Sequence, residues 1–202
     1  MVMSSVAFDN RLSSGSGIWF FLIAELILFG LLFIFYLVYR ITDAQAFHFA
    51  AGELSVFSGT VGAVILLVSS AVLAGSVTAV KQEKKRLALQ LLGMTFLLGI
   101  IFLVARCLEW RVHIKAQIFP GSPVLALRGP GDLLFYGFYF FITGLHALHV
   151  IIGLAVIGFL FRGFSRGKIG SGDYPAYEKG VWYWHLVVLL GILIFPVFYL
   201  IT

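Results

Sequence analysis

Three histidines and one glutamate stand where this chain is otherwise apolar. Thr143, His146 and His149 fall inside one hydrophobic segment, His185 opens the next, and Glu25 interrupts the first. A carboxylate and imidazoles of this kind can share a proton, join helices by hydrogen bonds, or ligate haem or copper. In hydrocarbon a polar ring needs a partner or a water-lined pocket, so these side chains must face inward. Spacings of three and four put Thr143, His146, His149 and Gly153 on one helix face. Glu25 lies about 10 Å along the first segment at helical rise. It is expected to be neutral and hydrogen-bonded, either joining two helices or moving protons.

The segments that must position these groups follow from composition. The chain is 61% hydrophobic and 11% charged over 202 residues, with 14 basic and 9 acidic residues. A soluble domain of that composition would have a largely apolar surface. The reading is all-α and polytopic, with five transmembrane helices over 18–39, 60–80, 87–106 or a little beyond, 133–161 and 181–201. Segment 1–17 is expected to be a flexible lead-in, and 18–202 one membrane domain. The first apolar segment is too long for a typical signal peptide, so it is expected to stay as a helix.

Nine basic residues (Arg11, Lys81, Lys84, Lys85, Arg86, Arg162, Arg166, Lys168 and Lys179) fall on one side of these spans, and five (Arg40, Arg106, Arg111, Lys115 and Arg128) on the other. The asymmetry places the N-terminus in the cytoplasm and the C-terminus outside. It also explains the net charge of +5 without nucleic acid, which is excluded as a partner. The one cysteine, Cys107, forms no internal disulfide, and zinc or iron–sulfur chemistry is not expected.

Haem ligation is weighed on geometry. His146 and His149 share a face and cannot clamp one macrocycle from opposite sides. Counted from the expected span ends, His149 lies about 18 Å and His185 about 6 Å from the cytoplasmic side, which argues against that pair too. Copper lacks an evident third ligand. Arg106 and Glu109 can pair along their helix, and with His113 they read as a solvated helix end. Trp182, Tyr183 and Trp184 suit an interfacial aromatic belt. Gly62, Ser69 and Ser76 recur every seven residues as a packing seam.

Longer motifs carry a resemblance. Phe140-Phe141-Ile142-Thr143-Gly144-Leu145-His146-Ala147-Leu148-His149-Val150 with Gly153 resembles the "FF-x-TG-x-H-x-x-HV-x-x-G" element of subunit III of the haem-copper respiratory oxidases. Glu178 with Tyr183-Trp184-His185, then Phe195-Pro196 and Tyr199, is similar to the final helix of that family. Leu66-Leu67-Val68-Ser69-Ser70 resembles its "LL-x-SS" helix, Glu109-Trp110 its "E-Y" pair, and Phe21-Leu22-Ile23-Ala24-Glu25 the helix with its buried glutamate. The match runs through all five spans in order, like the short bacterial form that lacks the first two of seven helices. Two departures stand out: the family's "F-V-D-x-x-W" after the histidine is here Leu186-Val187-Val188-Leu189-Leu190-Gly191, and the loop before the last helix is Gly-rich.

The resemblance implies a non-catalytic accessory subunit of a cytochrome c or quinol oxidase in the bacterial inner membrane. Such a subunit has no catalytic or metal-binding residue of its own; haem and copper belong to the partner subunit I. Subunit II, small subunits and structural phospholipid are its other expected partners. It implies buried polar, proton-related roles for Glu25, His146, His149 and His185. Ser69, Ser70, Arg106, Glu109, Thr143, Trp184 and Glu178 become structural or lipid-cleft candidates. The alternatives are a relative associated with nitric-oxide reductase, a membrane cytochrome using the histidines directly, and a transporter coupled through Glu25.

Overall fold

A computed structural model describes residues 2–167 and 174–200, and side chains at 17, from 19 to 167 and from 177 to 200. The fold is all-α, and five of its helices are long and apolar enough to cross a membrane. In chain order the helices are α1 (Val2–Thr42), α2 (Ala44–Gly52), α3 (Val56–Lys81), α4 (Lys85–Lys115), α5 (Pro123–Arg128), α6 (Pro130–Ser165) and α7 (Tyr174–Phe195), followed by a π-helical turn, Pro196–Leu200. The spanning helices are α1, α3, α4, α6 and α7.

Hydropathy located every span but underestimated its length. α4 has 31 residues and α6 has 36, about 46 and 54 Å at helical rise, against a hydrocarbon core of about 30 Å. Backbone groups leaving the hydrocarbon still need partners, and continuing the helix supplies them within the chain. The lead-in expected to be loosely ordered is helical from Val2, since extending an existing helix needs no new nucleus.

Two short helices went unforeseen. Asp43 caps α2 by accepting from Ala46 N, and Ser122 caps α5 ahead of Pro123 at its first turn. Both lie at the end of the bundle where α4 finishes and α6 begins. Phe47 of α2 is fully buried there with Tyr36, Phe135 and Phe198, its ring 5.5 Å from Tyr36 and 5.7 Å from Phe135.

α6 and α7 form the interior of the bundle. Trp184 of α7 is fully buried and wedges between Gly99 of α4 and Gly153 of α6. A Cβ at either glycine would come within 2.8 or 2.7 Å of the indole, so only glycine admits the ring. The aromatic run 182–184 is therefore split. Trp182 is half exposed, whereas Tyr183 and Trp184 are buried core residues and not members of a belt.

Candidate functional site

The inward face of α6 carries Thr143, His146 and His149, all buried, and each reaches a different helix. His149 meets α1: its Nε2 lies 2.9 Å from Glu25 Oε2. Its Nδ1 donates to Leu145 O at 2.7 Å, because a carbonyl can only accept. Phe29 stands edge-on to the ring at 5.6 Å, and the Tyr183 hydroxyl donates to His149 O at 3.1 Å.

With Nδ1–H committed to Leu145, Nε2 is the ring atom turned to Glu25, and Glu25 Oε2 is buried with no hydrogen-bond donor among the described residues. The close approach of a carboxyl and an imidazole joins α1 to α6 and keeps both polar groups out of hydrocarbon.

His146 turns the other way. Its Nε2 donates to Val187 O of α7 at 3.0 Å, and Phe102 of α4 stands perpendicular at 5.6 Å. The ring fits because of Gly191, where a Cβ would sit 2.9 Å from His146 Nε2 and 2.6 Å from Leu66 Cδ1. Here the departure from the family's final-helix motif has a local reason. The position that would carry the motif's tryptophan is the one against which His146 packs. Val188, at the position of the motif's acid, is 2% exposed within the apolar core.

On α3, Ser70 Oγ lies 2.6 Å from His185 Nδ1, and Ser69 Oγ accepts from Trp184 Nε1 at 3.1 Å. Ser76 and the Tyr177 hydroxyl are 2.5 Å apart. The α3 stripe of Gly62, Ser69 and Ser76 is buried and supplies polar contacts to α7 as well as close packing. Glu178 lies half-buried in the early turns of α7.

Arg106, Glu109 and His113 are not a solvated helix end. They are 8%, 8% and 7% exposed. Arg106 Nη1 donates to Glu109 Oε2 and to the Tyr199 hydroxyl, both at 2.7 Å, and Tyr199 donates to Glu109 Oε1. Tyr199 comes from the π-helical turn, which aims it back at α4. Trp110 Nε1 donates to Thr143 Oγ1 at 3.3 Å. A plain count of loop charges missed this cluster because a matched Arg–Glu pair looks the same in sequence whether buried or wet. The signal available was Tyr199, whose hydroxyl needs a partner late in an apolar span.

His149 and His185 turn to different helices: His149 faces Glu25 on α1, and His185 faces Ser70 on α3. Among the described residues no three His, Cys, Asp or Glu side chains gather as metal ligands.

The profile of the family described as cytochrome c oxidase subunit III matches residues 10–202. This chain belongs to that family. It is 29% identical over 185 residues to cytochrome c oxidase subunit 3 of Synechocystis, covering 91% of this chain and 74% of that protein. It is 28% identical over 201 residues to the cytochrome bo(3) ubiquinol oxidase subunit 3 of Pseudomonas aeruginosa, covering 96% and 88%. A protein of Aeropyrum pernix named heme-copper oxidase subunit I+III matches over 197 residues at 26% identity, covering 92% of this chain and 22% of that protein. As a subunit III, the chain is a multi-pass membrane protein and an accessory subunit of a haem-copper oxidase that associates with other oxidase subunits.

Proposed function

We propose that this subunit packs beside the catalytic subunit I of a bacterial terminal oxidase, stabilises it during turnover, holds lipid and supports proton uptake. Haem and copper sit in the partner, and subunit II and small subunits complete the assembly. One observation carries the reading: the intramembrane polar side chains are used to join helices. Glu25–His149 ties α1 to α6, His146 ties α6 to α7, Ser69 and Ser70 tie α3 to α7, and Arg106 ties α4 to the chain after α7. That is how a rigid scaffold is built. The fused name of the Aeropyrum relative, subunit I+III, supports subunit I as the neighbour. The approach of two proton-carrying groups, Glu25 and His149, within 2.9 Å inside the bundle supports a part in proton supply.

The orientation proposed is N-terminus inside. Arg106 is buried and paired, so five opposing basic residues become four against nine, which sharpens the asymmetry. In a Cys107-free background, a cysteine at position 45 should label from outside and one at 84 should not; the reverse pattern overturns this.

The role is tested by purifying the oxidase with and without this subunit. The expected result is unchanged haem and copper, unchanged initial rate and faster decay of activity during turnover. Loss of haem or copper in step with this chain, while the large subunit stays folded, would replace the accessory role with a ligand-bearing one.

A further inference from the structure

The polar joints of the core meet around one small space. Arg106 of α4, Thr143 and His146 of α6 and Tyr199 of the π-helical turn border a single cavity, with Ala63 of α3 and Phe102 of α4 on its other sides. Its volume is about 10 Å³. A water molecule needs about 10–15 Å³ of such space, so the cavity takes one water and no larger guest.

The wall offers both donors and acceptors. Arg106 gives its bonds to Glu109 and Tyr199 from Nη1, and a guanidinium carries N–H groups on two further nitrogens. His146 donates from Nε2 to Val187 O, which makes Nδ1 of the neutral ring an acceptor. Both side chains stand against one ring, since the Arg106 guanidinium carbon lies 5.7 Å and the His146 ring 5.6 Å from the centre of Phe102. Thr143 Oγ1 donates to Tyr139 O at 2.5 Å and accepts from Trp110 Nε1, and its second lone pair is a further acceptor. Dry cavities in proteins are apolar, whereas a space bordered by two to four polar groups holds water. Ions are a poor match for this one. The guanidinium repels a cation, and Glu109 already neutralises that guanidinium against an anion.

We propose that this cavity is the binding site of one ordered water, which accepts from Arg106 and donates one proton to His146 Nδ1 and the other to Thr143 Oγ1. Three bonds are the usual complement of a buried water. The water connects the Arg106–Glu109–Tyr199 cluster to the contact between His146 and Val187, so that α4, α6, α7 and the π-helical turn share one hydrogen-bonded network. The site depends only on this chain and holds whether or not the subunit acts as proposed above.

The test uses the purified oxidase in nanodiscs equilibrated with oxygen-18 water. Short X-ray pulses convert a bound water into hydroxyl radical in place, and mass spectrometry then locates the side chains that take up the label. Phe102 and Tyr199, 3% and 2% exposed, should be labelled because they border the water. Phe135 and Tyr36, both 0% exposed, should not be. Ala63→Val, which fills the cavity and keeps every polar partner, should abolish labelling of Phe102. His146→Phe should weaken it by about tenfold, the equivalent of one hydrogen bond to a buried partner. Labelling of Phe102 and Tyr199 no greater than that of Phe135 and Tyr36 overturns the site, and so does labelling that Ala63→Val leaves unchanged. Haem and copper content, measured alongside, reports on the accessory role independently.

Discussion

α1 and α7 are both membrane spans, yet they are held in opposite ways. In α7 half of the span is buried, and in α1 only 17%. α7 is locked by shape, with Trp184 seated between glycines of two helices. α1 presents Phe20, Ile23, Ile27, Ile34 and Phe35 outward and buries a narrow strip headed by Leu22, Glu25, Phe29 and Tyr36. Without a hydrophobic force between helices in lipid, position comes from packing and from polar contacts. Where packing is dense, a polar pair is an addition. Where it is sparse, as on α1, one pair carries a large share of the specificity.

The strongest challenge to this contrast is Trp184→Ala. Emptying a site between α3, α4, α6 and α7 should cost about 3–5 kcal/mol, read as a large drop in the thermal midpoint of the detergent-solubilised complex with all helices loosened together. A shift no larger than that of a surface substitution would mean that α7 is not locked by shape.

A smaller and more local effect is expected from His149→Ala, which leaves Glu25 facing α6 without a partner, at about 1–3 kcal/mol. Here cysteines along α1 should gain reactivity while those on α7 do not. Glu25→Gln is the informative companion. Its amide can donate to the Nε2 acceptor, so assembly and α1 protection should stay close to the parent. If Glu25→Gln loosens α1 as much as His149→Ala does, then the charge of Glu25, and not a polar contact that an amide can also make, holds the helix.

The smallest effect should come from Ile27→Ala. This residue is 58% exposed, and its replacement should leave the midpoint of the isolated subunit within about 0.5 kcal/mol of the parent. The same substitution should weaken retention in the complex only if this face of α1 is covered by another subunit, which co-purification yields would show directly.

Much of this molecule was legible before its structure. Five spans, the inward face of α6 at Thr143, His146 and His149, and the family all follow from hydropathy, helical period and local motifs, because those depend on residues close together in the chain. Partnership does not. Glu25 meets His149, Arg106 meets Tyr199 and Ser70 meets His185 only through the rotation and mutual height of packed helices. A helix that starts seven residues earlier than hydropathy suggests, as α7 does, shifts every depth counted from its end by about 10 Å. The short helices α2 and α5 escaped because their cap residues lie in segments too brief for periodicity. The sequence by itself determined that polar side chains must turn inward, since hydrocarbon leaves them no alternative. Only the tertiary structure decided which of them meet, because pairing depends on the distance between helices and not on the spacing within one.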